Sequence, residues 1–580
     1  MKPGTCFLML CALLPAALAE NMTLRSGRVL EDASVVSSGD DFVSVQYTDG
    51  VAKVSYKELT DAQQKDYRMT PEDVKARLDQ RRLEDAARRK KAEEARKAAD
   101  EEARKIRESL SEAERHPRYL EGADISRMFL LLGELSQVEA EVMALQWNAL
   151  EADRVGLPAD IINKTEAKGD YSNMKQIQGG VTAAKGFEAA GVEAAIKYQN
   201  RKDMALIVSK APCTVAGTFT SNVVKAAPVL WDKQIVEHSA FAQAVVVNSG
   251  IANACTGKQG LDCCEAEAKC AGELLGVPTD AVLVASTGVI GMQIPVDKIT
   301  AGIEKLVAAK ADTLEAGSDA AHAIMTTDTI SKEIAIETQI GGKTVTLGGM
   351  CKGSGMIHPN MCTMLGFVTT DVKISKEMLQ KCVSADVVDS FNMISVDGDT
   401  STNDTLLVLA NGMAGNEEIT AEGEDYDNFC KALHEITTFL AKKMAGDGEG
   451  ATALFETKVI NAVSKEDART LAKSVICSSL TKAAIFGHDA NWGRILCALG
   501  YSGAKFDPEN VDLYFESKSG KIHIFGNGVA CDYSEEEATK ILSDPEVTAL
   551  VDMHMGEAEA TAWGCDLSYD YVKINADYRS

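Results

Sequence analysis

The sequence predicts a layered α/β protein over residues 174–580, and three observations lead there. Short Val-rich runs such as Ala244-Val-Val-Val247 and Ala281-Val-Leu-Val-Ala285 read as strands. Helical patterns such as Leu261 to Leu275 alternate with them, and glycine-rich turns separate the two kinds of element. With 580 residues and 45% hydrophobic content, the chain can bury more than one core, so two or more domains are expected.

Residues 1–19 begin with Lys2, run apolar from Cys6 to Leu18 and close on Ala17-Leu18-Ala19, the pattern of a secretory leader. That stretch is too short for a permanent membrane anchor. Residues 20–70 contain a predicted β-hairpin, with Val43, Val45 and Tyr47 alternating with polar residues, Asp49-Gly50 at the turn, and Val51 to Tyr56 extended. Residues 71–173 read as helical. Thr70-Pro71-Glu72-Asp73 supplies a capping hydroxyl, a proline for the first turn and an acid three residues on. The stretch to Arg115 is rich in Ala, Glu, Lys and Arg, which predicts a solvated helix held by i,i+4 ion pairs. A second helix over Ile125 to Asp153 carries Phe129, Leu130, Leu131, Leu132, Val138 and Val142, so it has an apolar face to bury.

A net charge of −26 argues against binding a phosphate backbone, which needs Lys and Arg gathered on one face. Cys6 and Cys11 lie in the leader, and the other thirteen of the fifteen cysteines all fall at Cys213 or later. Their odd number and the adjacent pair Cys263-Cys264 read as reduced thiols in a core, which favours a reducing compartment and conflicts with an export signal. With eight histidines, no Cys-x-x-Cys and no His-x-x-x-His, no metal is expected.

The chemistry-bearing stretch is Lys352-Gly-Ser-Gly-Met-Ile-His-Pro-Asn-Met-Cys362-Thr363, which opens an apolar run ending in Thr369-Thr370-Asp371. Cleavage of the Cys362–Thr363 bond would free a hydroxyl next to its own α-amine, and that amine can act as the hydroxyl's base. An ordinary loop entering a core strand is the competing reading of this motif alone.

Several further blocks resemble the ornithine acetyltransferase (glutamate N-acetyltransferase) family. They are Ile177-Gln-Gly-Gly-Val-Thr, Asn248-Ser-Gly-Ile-Ala-Asn253-Ala-Cys-Thr-Gly257, Ala285-Ser-Thr287-Gly288-Val-Ile-Gly291, Ser395-Val-Asp-Gly-Asp-Thr-Ser-Thr-Asn403-Asp404-Thr405, Ala490-Asn-Trp-Gly-Arg494, and Ala562 through Ser580. The likeness runs from Met174 to Ser580. It implies a layered, autoprocessed body similar to the N-terminal-nucleophile hydrolases, cut into an alpha chain 174–362 and a beta chain 363–580, two of each assembling together. It also implies acetyl transfer from N-acetylornithine to glutamate in arginine biosynthesis, through an acetyl ester on Thr363. No cofactor is expected to be bound, and acetyl-CoA is left open as a second acetyl donor.

The resemblance also implies the site residues. Thr363 is the nucleophile and Thr287 with Gly288 the oxyanion pair. Substrate contacts fall to Thr326, Lys352, Glu449, Asn575 and Ser580, while Asn403 and Asp404 are read as scaffolding. The chain departs from the family pattern at Cys362, where alanine is usual, and at His358, where a small residue is common. Two rivals stand beside this reading: a self-cleaving aminopeptidase or amidohydrolase on the same scaffold, and an exported interaction protein carrying an inactive enzyme body. Cytoplasm is the favoured location, with the leader leaving export or an organelle address open.

Overall fold

The computed structural model describes residues 20–24, 29–38, 42–47, 50–55, 57, 59, 174–358 and 364–576. The expected leader 1–19, the expected helical stretch 71–173, the two residues of the expected scissile bond and Ser580 lie outside these. The chain divides into two units, Met1–Ala167 and Lys168–Ser580.

In the first unit, strands β1 (Glu20–Thr23), β2 (Val29–Ser38), β3 (Phe42–Tyr47) and β4 (Gly50–Ser55) form an antiparallel sheet in sequence order. The expected hairpin region falls on β3 and β4, but Gly50 already belongs to β4 and two further strands extend the sheet. An isolated hairpin is marginal in water, so the extra backbone partners matter. Their sequence, rich in Glu, Asp, Ser and Asn, carries little apolar alternation to announce them.

The second unit is mixed α/β. Along the chain it runs through β5 (Lys175–Ile177), β6 (Phe187–Val192), β7 (Met204–Phe219), β8 (Ala242–Ile251), β9 (Val282–Val289), β10 (Lys332–Ile340), β11 (Lys343–Lys352) and β12 (Leu365–Thr370). It continues through β13 (Ile394–Ser395), β14 (Thr405–Ala410), β15 (Leu454–Ala462), β16 (Asp512–Ser517), β17 (Gly520–Gly526), β18 (Val529–Ala530), β19 (Glu546–Asp552) and β20 (Ala558–Cys565). A nine-stranded sheet follows the order β5-β10-β11-β12-β14-β7-β8-β9, with β6 also paired to β7. A seven-stranded sheet follows β13-β20-β15-β19-β16-β17-β18.

The larger sheet is buried on both faces, which explains why its strands read as nearly unbroken apolar runs. On β14, Leu406, Val408 and Ala410 join one apolar cluster while Leu407 and Leu409 join another, the two-residue period of a strand splitting them between faces. The first cluster continues through helix Glu424–Gly446 to the seven-stranded sheet, placing Phe429, Leu433, Ile436 and Leu440 in the same core as Phe455 and Val551. Each such side chain taken from water contributes about 1.5–3 kcal/mol. The ends of β9 and β11 and the start of β12 bring Thr287, Gly288, Lys352 and Leu365 to one cavity.

Candidate active site

The turn closing β9 is the first wall. Gly288 sits at φ +130°, and a Cβ built there would lie 2.3 Å from the carbonyl carbon of Gly250 on the parallel neighbour β8. Only glycine fits. Thr287, beside it, is buried, and its Oγ1 accepts a hydrogen bond from Lys352 Nζ at 3.1 Å. A hydroxyl that accepts from an ammonium still has its own proton to donate. Asn403 braces the same turn, its Nδ2 donating to the carbonyls of Ser286 (2.8 Å) and Ala252 (2.5 Å). The scaffolding expected of Asn403 is thus carried out in the wall of the cavity itself.

Lys352 ends β11 and lies directly opposite Leu365, the first residue of β12, so the two ends of the loop that joins them start side by side. The flanks of that loop are pinned: Thr400 Oγ1 donates to the carbonyl of His358 (2.9 Å), and Thr405 N donates to that of Met364 (2.7 Å). His358 Nδ1 lies 3.1 Å from Ser395 Oγ and 3.5 Å from Cys477 Sγ. Burial, with the nearby Lys473 adding to it, lowers the His358 imidazole to a pKa of about 4, so it is neutral at pH 7.

The third wall is the loop after helix Glu424–Gly446. Glu449 is buried, its backbone N–H donates to the Ser354 carbonyl (2.9 Å), and its Oε2 accepts from Asn575 Nδ2 (2.7 Å). A side chain at Gly355 would collide with that carboxylate at 2.4 Å. Asn575 closes the helix Tyr569–Asn575, which brings its side chain to the cavity.

Thr287, Gly288, Thr326, Lys352, Glu449 and Asn575 therefore line one cavity of about 150 Å³, and Met364, Asn403 and Asp404 line it too. Of the residues expected at the site, these are brought together. Cys362, Thr363 and Ser580 lie outside the described residues, although Thr363 is one peptide bond from Met364. Two carboxylates and an ammonium behind the wall, Asp328, Asp447 and Lys332, were not singled out from sequence. Lys332 shares an inward register with Ile334 and Ile336 on β10, and a lysine in that apolar alternation is the signal that marks a buried cation in need of partners.

The charges of the cavity act on one another. Burial lowers Lys352 below the ordinary lysine range, Asp328 opposes that fall and Lys332 adds to it, while Asp404 and Glu449 also favour the ammonium. Asp328 is buried, which alone would raise its carboxyl, but Lys352 and Lys332 outweigh burial and hold it at about 2. Among the described residues, no group of three His, Cys, Asp or Glu side chains is arranged to hold a metal ion.

A family model described as the ArgJ family matches residues 188–580. The arginine biosynthesis bifunctional protein ArgJ of Symbiobacterium thermophilum is 52% identical over 409 residues, 70% of this chain and 100% of the relative. The arginine biosynthesis bifunctional protein ArgJ 1 of Clostridium acetobutylicum is 51% identical over 402 residues, 69% of this chain and 97% of the relative. Among solved structures, that of the Bacillus halodurans ArgJ protein is 47% identical, with a TM-score of 0.35, and covers 36% of this chain and 97% of its own. With most of the chain matched by the family model and whole relatives matched at about half identity, this protein belongs to the ArgJ family.

Proposed function

We propose that this chain is an acetyltransferase of arginine biosynthesis that moves the acetyl group of N-acetylornithine to glutamate through an ester on Thr363. The observation that carries the reading is the convergence of the Thr287-Gly288 turn, Lys352, Glu449 and Asn575 on one cavity whose wall includes Met364, next to Thr363. Cleavage at Cys362–Thr363 supplies the α-amine that takes the hydroxyl proton as Oγ attacks the acetyl carbonyl. Thr287 O–H and the Gly288 N–H stabilise the tetrahedral oxyanion; the α-ammonium passes its proton to the leaving nitrogen, the C–N bond breaks, and ornithine departs leaving the acetyl ester. Glutamate then attacks the ester in the same cavity, and its departing proton returns through the α-amine.

Lys352 suits a substrate carboxylate, and Glu449, held by Asn575, suits the side-chain ammonium of ornithine. Thr326 and Ser580 complete the contacts. The cut enzyme assembles as two alpha and two beta chains. Acetyl-CoA serves as a second donor where its acetyl group reaches Thr363. The described cysteines are unpaired, which supports work in a reducing, cytoplasmic compartment, the leader notwithstanding; among the described residues no helix is long and apolar enough to cross a membrane.

The test is to compare wild type with Thr363→Ala. Wild type is expected to show two fragments by mass spectrometry and to transfer acetyl to glutamate faster than to water. The alanine variant is expected to remain one chain and lose transfer by at least a thousandfold, on the scale of removing a covalent nucleophile. A variant that transfers acetyl at the wild-type rate would overturn the reading.

A further inference from the structure

We propose that Lys332 is a positioning residue for this site, one buried ammonium that ties together the three separate backbone segments carrying Thr326, Lys352 and Glu449. The inference rests on the acetyl-transfer reading for the meaning of those three residues, and on geometry for the tie itself.

Lys332 Nζ donates to Asp328 Oδ1 at 2.7 Å and to Asp447 Oδ2 at 2.6 Å, and the Lys332 and Asp328 side chains are 0% exposed. Each carboxylate then grips a different wall. Asp328 accepts the backbone N–H of Thr326 (3.0 Å) and that of Gly353 (2.7 Å), the residue after Lys352. Asp447 accepts the backbone N–H and the hydroxyl of Thr329, and its own carbonyl accepts from Ser354 Oγ at 2.7 Å. The Ser354 carbonyl in turn accepts from Glu449 N. One cation thus closes a network that fastens the segments bearing Thr326, Lys352 and Glu449 to one another.

An uncompensated buried carboxylate is costly, and charge balance for the sake of the fold would explain two acids around a lysine. It would not explain why both acids also accept backbone N–H groups that lie within three residues of proposed substrate contacts. Lys332 touches no part of the cavity, so its influence must pass through the placement of others. A displacement of about 1 Å in such a constellation costs on the order of a hundredfold in rate.

The electrostatics give the idea a second readout. The groups facing Lys352 are Asp328, Lys332, Asp404 and Glu449, with Cys351 and Asp447 behind. Of these, Lys332 disfavours the Lys352 ammonium, so its removal raises the pH at which Lys352 loses its proton.

Full-length protein would be prepared as wild type, Lys332→Met and Lys332→Met with Asp447→Asn. The double variant keeps the net charge of the Lys332, Asp328 and Asp447 cluster at −1, as in wild type, while cutting the tie. Fragment masses, thermal midpoints and steady-state constants for N-acetylornithine and glutamate would be measured across pH. The expected result is a processed double variant with a thermal midpoint close to wild type, KM raised about tenfold or more for both substrates, and an unshifted alkaline limb in the pH profile. Lys332→Met should move that limb upward. Wild-type KM values (within twofold) in the double variant would overturn the inference, as would unfolding of both variants, because the tie would then hold the fold and not the site. Wild type lacking acetyl transfer would instead indict the reading of the reaction.

Discussion

In the proposed mechanism Thr287 is the residue at which ground state and transition state diverge. Its oxygen already accepts a hydrogen bond from Lys352, so its own O–H is available for the charge that develops on the substrate oxygen. Thr287→Val keeps the shape and removes that donor. The expected outcome is a fall in kcat of about a hundredfold or more, on the scale of losing one oxyanion donor, with KM little changed; a comparable rise in KM with kcat intact would move Thr287 to ground-state binding. At this scale much was legible. Thr287-Gly288, Lys352 and Glu449 each stand in a short glycine-marked block, because a backbone that must pass close to a ligand or a neighbouring strand leaves glycines in the sequence. Asp447 sits in the Glu449 block and Asp328 two residues after Thr326, and both were passed over, since a carboxylate in a loop looks alike whether it faces water or a buried ammonium. Only the fold says which.

Among the elements, helix Gly257–Leu275 carries a tension of its own. It packs against helix Val296–Ala309 and the sheet with Glu267 fully buried, and burial raises that carboxyl to about 8. Asp232, buried in helix Ala227–His238, is raised as well, first by burial and then by Glu267, despite the Val284 N–H it accepts at 2.8 Å. An unfolded glutamate titrates near about 4.3. The folded form therefore holds a proton that the unfolded form releases, so this group's contribution is complete below that value and lost as pH rises towards 8. Glu267→Gln cannot lose it. Urea unfolding from pH 5 to pH 8 should show wild type weakening relative to the variant by at most about 1.4 kcal/mol per pH unit, and parallel curves would count against a buried protonated Glu267. The helix itself was readable from its apolar spacing, whereas the burial of Glu267 was not, because a glutamate among Glu, Asp and Lys gives no sign of which way it points. The first unit shows the opposite failure: β1 and β2 are strands through backbone pairing, with side chains that signal nothing.

Across the whole molecule, the family match begins at residue 188 and whole relatives are matched by 70% of this chain or less. The catalytic machinery proposed here lies within Lys168–Ser580. Deleting residues 1–173 is expected to leave kcat/KM for acetyl transfer within twofold of the full chain, measured in the same steady-state assay, and a tenfold fall would give the extension a part in catalysis. The layered α/β architecture was legible because strand and helix periods alternate so regularly after Met174. The order of strands was not, since no local pattern says that β14 will lie beside β7.

That order bears on what happens once the peptide bond before Thr363 is broken. Strands β12 and β14 come from the downstream piece, yet they lie between β11 and β7 of the upstream piece, hydrogen-bonded to both. Neither product can leave without tearing a central ladder apart, so the severed halves are interwoven like clasped fingers and should part only in denaturant. Fragments made separately would each expose the strand edges that the other covers.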